Sequence, residues 1–346
     1  MKHLLFSLAA LLIINSVTFS QDSTFYEKEN LSFFDWCIQD SVTHFTFITD
    51  VKKLKKNKKE DEYQPGKLVI LNDGEYDTLK VKIRTRGNMR KKHCNFPPIK
   101  FKIAKKELEE LDLDSMRTYK MVTHCKQKGK YEKWVYKELV AYKMYSAITD
   151  VSFRTYNITV DYVDENSGKV IESKVGFVIE SKKDLEKRLN AKSIKKPTFH
   201  PRFCQPFFVS QMSMFQYMIG NPDWSFANLH NLKLVKLEDH QYPIPIAYDF
   251  DYAGLIETEY SVPDPQLSIE DVTQRVYMDV CREKELVQEV IDHFSKKEEE
   301  IIQCIYDVEE LQKRDQRTME FYIKDFFDII RNPKNIDKKF RSTCDK

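Results

Sequence analysis

The stretch KYEKWVYKELVAYKMYSAI, residues 130–148, decides the fold, because a long helical pattern stands here between two groups of strand patterns. Rotated by about 100° per residue, Trp134, Val135, Leu139, Ala141, Tyr142, Tyr145 and Ile148 share one face. Glu138 falls near the centre of that face, whereas Lys133, Lys137 and Lys143 lie elsewhere. A carboxylate among buried apolar groups is costly without a charged partner. Glu138 is therefore expected to pair with a lysine from a neighbouring strand. Lys100 and Lys102 in PPIKFKI (97–103) qualify equally, since both lie opposite Ile99, Phe101 and Ile103.

Outward from the helix, strands are expected on both sides. HFTFITD (44–50), KLVIL (67–71), DTLKVKIRTRG (77–87) and PPIKFKI precede it; RTYNITVDYV (154–163) and KVIESKVGFVIE (169–180) follow. Each alternates β-branched or aromatic residues with polar ones. NDGEYD (72–77) carries an Asp-Gly hairpin signal, and DENSGK (164–169) reads as a turn. The second half is expected to be mostly helical: PFFVSQMSMFQYMIG (206–220), then a long run from Ser268 to Ile330. The layout is α+β and two-lobed, with a β-rich N-terminal lobe holding one helix (21–180) and a mostly helical C-terminal lobe (181–346).

The 346 residues carry 32% charged and 13% aromatic side chains, which argues against a disordered chain or a membrane bundle. The formal charge is only +2, so bulk charge predicts no nucleic-acid partner. The lysine-dense VKKLKKNKKEDE (51–62) reads as a solvated loop, because acidic residues interrupt it. At the N-terminus, Lys2 and His3 precede an apolar run from Leu4 to Ile14, with small Thr18 and Ser20 beyond it. That pattern reads as a signal peptide over residues 1–20. No later segment is apolar enough to cross a membrane, so the protein is expected to be exported, to the periplasm, cell surface or medium. Export permits disulfides. The seven cysteines form no CxxC pair, which disfavours zinc, and Cys94 with Cys125 is the favoured bridge, with buried free thiols as the alternative.

Two polar clusters interrupt apolar sequence in the second half. IGNPDWSFANLHNL (219–232) holds Asp223 and Asn228, and IAYDFDYAG (246–254) holds Asp249 and Asp251. An acidic residue near an attacking hydroxyl, an amide oxygen and a second carboxylate for metal are what kinase-type phosphoryl transfer needs. Mg²⁺ prefers such oxygen ligands and leaves positions for phosphate. Upstream, RTRGNMR (84–90) ends a strand. Gly87 permits a tight turn, and Arg84, Arg86 and Arg90 offer forked donors for phosphate.

RTRGNMRKKHCNFPPIKFKI, KWVYKELVAYKMYSAITDVSFRT, GFVIES, IGNPDWSFANLHNL and IAYDFDYAG occur in that order. Together they resemble the spore-coat CotH kinase family, in particular its exported bacterial members, over roughly residues 65 to 260. The resemblance implies an atypical protein-kinase-like fold that binds ATP with Mg²⁺ (or Mn²⁺) and phosphorylates Ser/Thr of secreted or surface proteins. It implies nucleotide contacts from Arg86, Gly87, Asn88 and Arg90, and adenine docking near Glu180. Lys100 or Lys102 stands for the phosphate lysine and Glu138 for its helix partner. Asp223 stands for the catalytic aspartate, and Asn228 with Asp249 for the metal ligands. DFD in place of DFG lets Asp251 compete with Asp249, and Asn221-Pro222 stands where HRD is usual. AMP transfer and a catalytically inactive binding module are the alternatives.

Mature protein is expected to begin near Gln21. N-terminal sequencing of exported material checks this, and retention of Met1 would refute the signal-peptide reading.

Overall fold

A computed structural model describes residues 31–72, 74–341 and 344, so the signal-peptide reading lies outside the described residues. Seven strands form a closed barrel: β1 (His44–Thr49), β2 (Gln64–Asn72), β3 (Glu75–Thr85), β4 (Ile99–Ile103), β5 (Thr118–Thr123), β6 (Thr155–Asp164) and β7 (Val170–Ile179). Their order around the barrel is β1-β2-β3-β4-β5-β7-β6. Closure comes from a parallel pairing of β1 with β6, which sets Phe45 beside Val160 and Phe47 beside Tyr162. The other pairings are antiparallel.

Period-two alternation explains the barrel. Phe45, Phe47, Leu68, Ile70, Ile83, Ile99, Phe101, Tyr119 and Val160 are buried and belong to one apolar cluster. Their strand neighbours, Lys100 and Lys102 among them, face the other way. Closing the sheet removes the open edges that would otherwise invite pairing with another chain. A short helix, α1 (Phe33–Gln39), adds Phe33, Phe34 and Trp36 to the same cluster.

The expected strands are all present. β5 is an additional one, because TYKMVT carries only a weak alternation around Lys120. The lysine-rich segment is not a simple loop: α2 (Val51–Lys56) buries Val51 and Leu54 and is capped by the Asp50 carboxylate. α3 (Met89–His93) and α4 (Lys105–Glu110) flank β4. The helix that decided the fold is α5 (Glu132–Ile148), and it is buried on nearly every side.

The C-terminal region contributes α6 (Lys182–Arg188), α7 (Pro206–Ile219), α8 (Lys284–Lys296), α9 (Glu298–Tyr306) and α10 (Lys313–Arg331). It also holds a small sheet ordered β10-β9-β8, from β8 (Ala191–Ser193), β9 (Leu232–Leu237) and β10 (Ile244–Ala247). α5 shares the apolar cluster of these elements. The molecule is thus α+β, β-rich in its N-terminal region and helical in its C-terminal region. Among the described residues, no helix is long and apolar enough to cross a membrane.

Residues 268–283 depart from the expected helical run, since helix begins only at Lys284. Polar anchors tie this segment to α7 instead. Arg275 donates to the Met218 carbonyl at 3.1 Å, and Ser210 donates to Asp279 at 2.8 Å. Gly220 ends α7 in the left-handed region, φ 63°, where a side chain would run into the Tyr322 hydroxyl.

The favoured disulfide, Cys94–Cys125, is present, and a second joins Cys281 to Cys344. Cys37, Cys204 and Cys304 are buried free thiols. The first bridge fastens the loop after α3 to the end of β5, where the Cys125 carbonyl also accepts from the Asn95 and Phe96 amides. Replacing both Cys94 and Cys125 by Ser is expected to lower unfolding free energy by about 3 kcal/mol. Denaturant titration of the oxidised wild type beside the variant measures the difference.

Candidate functional site

The loop at the end of β3 supplies one wall of a cavity of about 560 Å³. Arg86, Gly87 and Asn88 form its turn, and Gly87 adopts φ +86°, which disfavours any other residue. α3 then carries Arg90 into the interior. Arg90 donates through Nη2 to Glu138 on α5, and through Nε to Asp251 Oδ2 at 2.8 Å and the Tyr260 hydroxyl at 2.9 Å. The Tyr260 hydroxyl in turn donates to Asp251 Oδ2 at 2.8 Å. One guanidinium therefore ties the loop to α5 and to the DFD turn.

This corrects the expected partner of Glu138. The carboxylate is buried, as its helical phase requires, but its cation is Arg90. Lys100 and Lys102 sit on the outer barrel wall and line a separate cleft of about 450 Å³ with Lys120, Glu180 and Tyr248. Burial pushes the Glu138 carboxyl up, against the pull of Arg90, and its Oε1 has no hydrogen-bond partner among the described residues.

The lysine at the cavity is Lys120 on β5, directly opposite Lys100 in strand register. Sequence reading missed it because its strand was missed. Burial lowers its ammonium to about 8, and the Arg86 charge adds to that effect while Asp249 opposes it. The Tyr248 ring lies 5.1 Å from Lys120 Nζ and 4.9 Å from Lys233 Nζ, offering its face to both cations.

The DFD turn separates its two carboxylates. Asp249 faces the cavity in the left-handed conformation, φ +66°, with its amide donated to the Tyr142 hydroxyl of α5 at 2.9 Å. Arg86 Nη2 lies 3.8 Å from its Oδ2. Burial pushes the Asp249 carboxyl up, but Arg86, Arg90 and Lys120 together bring it below its ordinary value. Asp251 also borders the cavity, yet its Oδ2 is engaged by Arg90 and Tyr260.

Opposite stands the loop after α7. The Asn221 side chain accepts from the Asp223 amide at 3.1 Å and donates to Gln216 at 2.9 Å, fixing the start of the loop. Asp223 Oδ1 meets His230 Nε2 at 2.9 Å. Asn231 Nδ2 donates to the Asp223 carbonyl at 2.7 Å and to Oδ2 at 3.0 Å. Burial raises the Asp223 carboxyl, partly offset by His230. Asn228 borders the same cavity but is exposed, and its Oδ1 accepts the His230 amide at 3.1 Å, closing a local turn. Asn231 also borders the cavity, is buried and bonds Asp223 directly through Nδ2, which leaves its amide oxygen outside that contact. The signal was available, since Asn231 stands immediately before the β9 strand pattern.

Glu180 lies at the exit of β7, but its carboxylate is occupied. Arg154 and Arg188 both grip it, with Nε to Oε1 distances of 2.8 Å and 2.9 Å. Any ligand contact at this position is left to the backbone. Among the described residues, no three His, Cys, Asp or Glu side chains group as a metal site. A cation held here would draw on Asp249 and an Asn amide oxygen, with the rest of its shell from ligand or water, as Mg²⁺ tolerates.

No family model matches the chain, and no curated protein is significantly similar to it.

A desolvated Lys120 among other cations is electrostatically costly. Its ammonium is depressed from 10.5 to about 8, so the charged form destabilises the fold below pH 8, and this cost disappears as pH rises towards 10.5. Lys120→Met is expected to raise stability at pH 7 by on the order of 1–3 kcal/mol. The gain should shrink steadily in denaturant titrations between pH 8 and pH 10.5.

Proposed function

We propose that this protein is an ATP-dependent kinase of the CotH-like type, with a two-lobed kinase-like arrangement around the cavity between β3, β5, α7 and the DFD turn. The observation that carries the reading is convergence: Arg86, Lys120, Asp223, Asn231 and Asp249, scattered over the sequence, border one cavity. Their order along the chain matches the working parts of kinases: a turn between two strands, a strand lysine, a helix glutamate, an Asp/Asn loop and a metal aspartate. The two disulfides favour an oxidising compartment, and hence export.

In this reading Arg86 and Lys120 orient the phosphates, with Gly87 and Asn88 lending backbone donors. Lys100 and Lys102 flank the cleft that adjoins them, where the base and ribose fit against Tyr248 and the Glu180 backbone. Asp249 and Asn231 would hold Mg²⁺ or Mn²⁺, which would supply charge neutralisation at the transferring phosphoryl group. Asp223 accepts the proton of a substrate Ser/Thr hydroxyl as its oxygen bonds the γ-phosphorus and the bond to the β-phosphate oxygen breaks, releasing ADP. His230 and Asn231 keep the Asp223 carboxylate aimed. Arg90 takes the place of lysine as the partner of Glu138, so the helix here positions the phosphate loop rather than the lysine itself.

The test is label transfer from ATP to the protein itself and to a generic Ser/Thr acceptor. Label from the γ-position is expected in wild type, with a loss on the order of 10²-fold or more in Asp223→Asn. Asn231→Ala is expected to lose activity, while Asn228→Ala keeps most of it. Label arriving only from the α-position would replace the reading with AMP transfer. Calorimetric Mg·ATP binding without any transfer would replace it with a binding module.

A further inference from the structure

The outer wall of the barrel carries an unusual charge pattern beyond the proposed active site. Strand register sets cation against cation four times, at Lys67–Lys80, Lys82–Lys102, Arg84–Lys100 and Lys100–Lys120. Like charges directly opposite on neighbouring strands destabilise a sheet. The chain as a whole has nearly as many acidic as basic residues, 54 against 56, so this concentration is local. Among the described residues, Lys67, Lys82, Lys102 and Arg117 make no ion pair. Lys80 reaches Glu107 only at 3.8 Å while its own side chain is 80% exposed.

These cations surround a groove of about 770 Å³ on the wall formed by the end of β1, the start of β2, the middle of β3 and the end of β4. Ile48 and Pro65 give it apolar side chains, Val81 and Ile103 border it while burying their own side chains in the barrel, and among the described residues Glu165 is the one carboxylate on its rim. Lys102 and Arg117 belong both to this groove and to the cleft that contains Lys100 and Glu180. Lys120 belongs both to that cleft and to the Asp223 cavity. A basic path therefore runs from the outer wall to the proposed site of chemistry.

We propose that this groove docks an extended acidic segment of a polypeptide. Lys80 and Lys82 alternate along one strand and Lys100 and Lys102 along the next, so same-face cations recur roughly every 6.6 Å. Carboxylates on every second residue of an extended peptide have the same spacing. Among the described residues the groove offers no aromatic ring for base stacking, on which single-stranded nucleic-acid sites depend. Its cations are mostly lysines, point charges suited to carboxylates in water, rather than the arginine forks favoured for phosphate. Occupation would relieve the repulsion between the facing cations. Naming the segment as part of a kinase substrate rests on the preceding functional reading; the binding itself does not.

The experiment is fluorescence anisotropy with a fluorescein-labelled peptide of alternating glutamate and serine, on the full chain. Wild type should bind it with an affinity that falls as salt rises. The double variant Lys67→Glu with Lys82→Glu should weaken binding at least tenfold, and Lys67→Gln with Lys82→Gln by an intermediate factor. Tripolyphosphate binding, assigned to the Lys120 cavity, should be preserved in both, and the thermal midpoint should hold or rise as facing like charges are removed. Equal peptide affinity in wild type and the charge-reversed variant would overturn the proposal. So would tighter binding of oligothymidylate than of the peptide, lost in the same variant, since the groove would then serve nucleic acid. Because the readout needs no turnover, peptide binding by a protein that transfers no phosphate would sink the kinase reading and leave the groove standing.

Discussion

Everything at the cavity depends on the Arg90 guanidinium. It joins three parts of the chain that share no secondary structure: the loop after β3, helix α5 through Glu138, and the DFD turn through Asp251 and Tyr260. A guanidinium suits this task because its charge is permanent and its donors diverge in one plane. The surrounding carboxylates hold it still further from deprotonation, despite the burial that opposes its charge. Removing it would leave Glu138 and Asp251 buried without a cation, a loss of several kcal/mol in typical cases. The disulfide from Cys94 to Cys125 secures the same loop covalently, a few residues further on. Covalent and electrostatic restraints thus converge on the segment that carries Arg86 and Gly87 into the cavity.

That arrangement explains why two neighbouring aspartates have different fates. Asp251 faces inward onto Arg90 and Tyr260, and Asp249, held in a left-handed conformation by the Tyr142 hydroxyl, faces the cavity. Their partners sort them: Asp251 is tied by Arg90 and Tyr260, while Asp249 stays at the cavity with Arg86 at 3.8 Å. The cations sort in the same manner. Arg90 is saturated by its partners, whereas Lys120 is desolvated with Arg86, Lys233 and Lys100 nearby and Asp249 to offset them. Unbalanced positive charge in a partly buried site is what an anionic ligand would neutralise.

Sequence made much of this legible, and its failures have physical causes. Alternation revealed the strands whose inward residues are large and apolar, such as Phe45, Phe47 and Phe101. It could not reveal that β1 would meet β6 in parallel and close a barrel, because pairing partners leave no mark on period. β5 escaped because a lysine sits at its centre, and with it went Lys120. Helical phase located Glu138 as a buried carboxylate, which it is, but phase says nothing about which cation arrives from another element. The nearest strand lysines were the obvious candidates, yet a strand sends alternate side chains to opposite faces, and Lys100 and Lys102 go outward. Spacing from Asp223 singled out Asn228, which borders the cavity, but the fold turns twice through left-handed residues, Leu229 and Asn231, so it is the later asparagine that bonds Asp223. The segment 268–283 read as part of a helical run but is non-helical, with side-chain anchors to α7.

The outer wall of the barrel follows from the same alternation that built the core. Once Phe101 and Ile103 are committed inward, Lys100 and Lys102 must project outward, and antiparallel register then sets each opposite whatever β3 and β5 present. Those strands present Arg84, Lys82 and Lys120. A single exchange of Lys82 for glutamate would satisfy Lys102 across the ladder at no cost to the core, since neither side chain packs inside. The sequence keeps cations at both positions, although acidic residues are abundant elsewhere and pair readily, as Glu109 does with Lys105. Core packing thus fixes where these side chains point but leaves their sign free, and the uniform sign is the part of the pattern that stability alone does not explain.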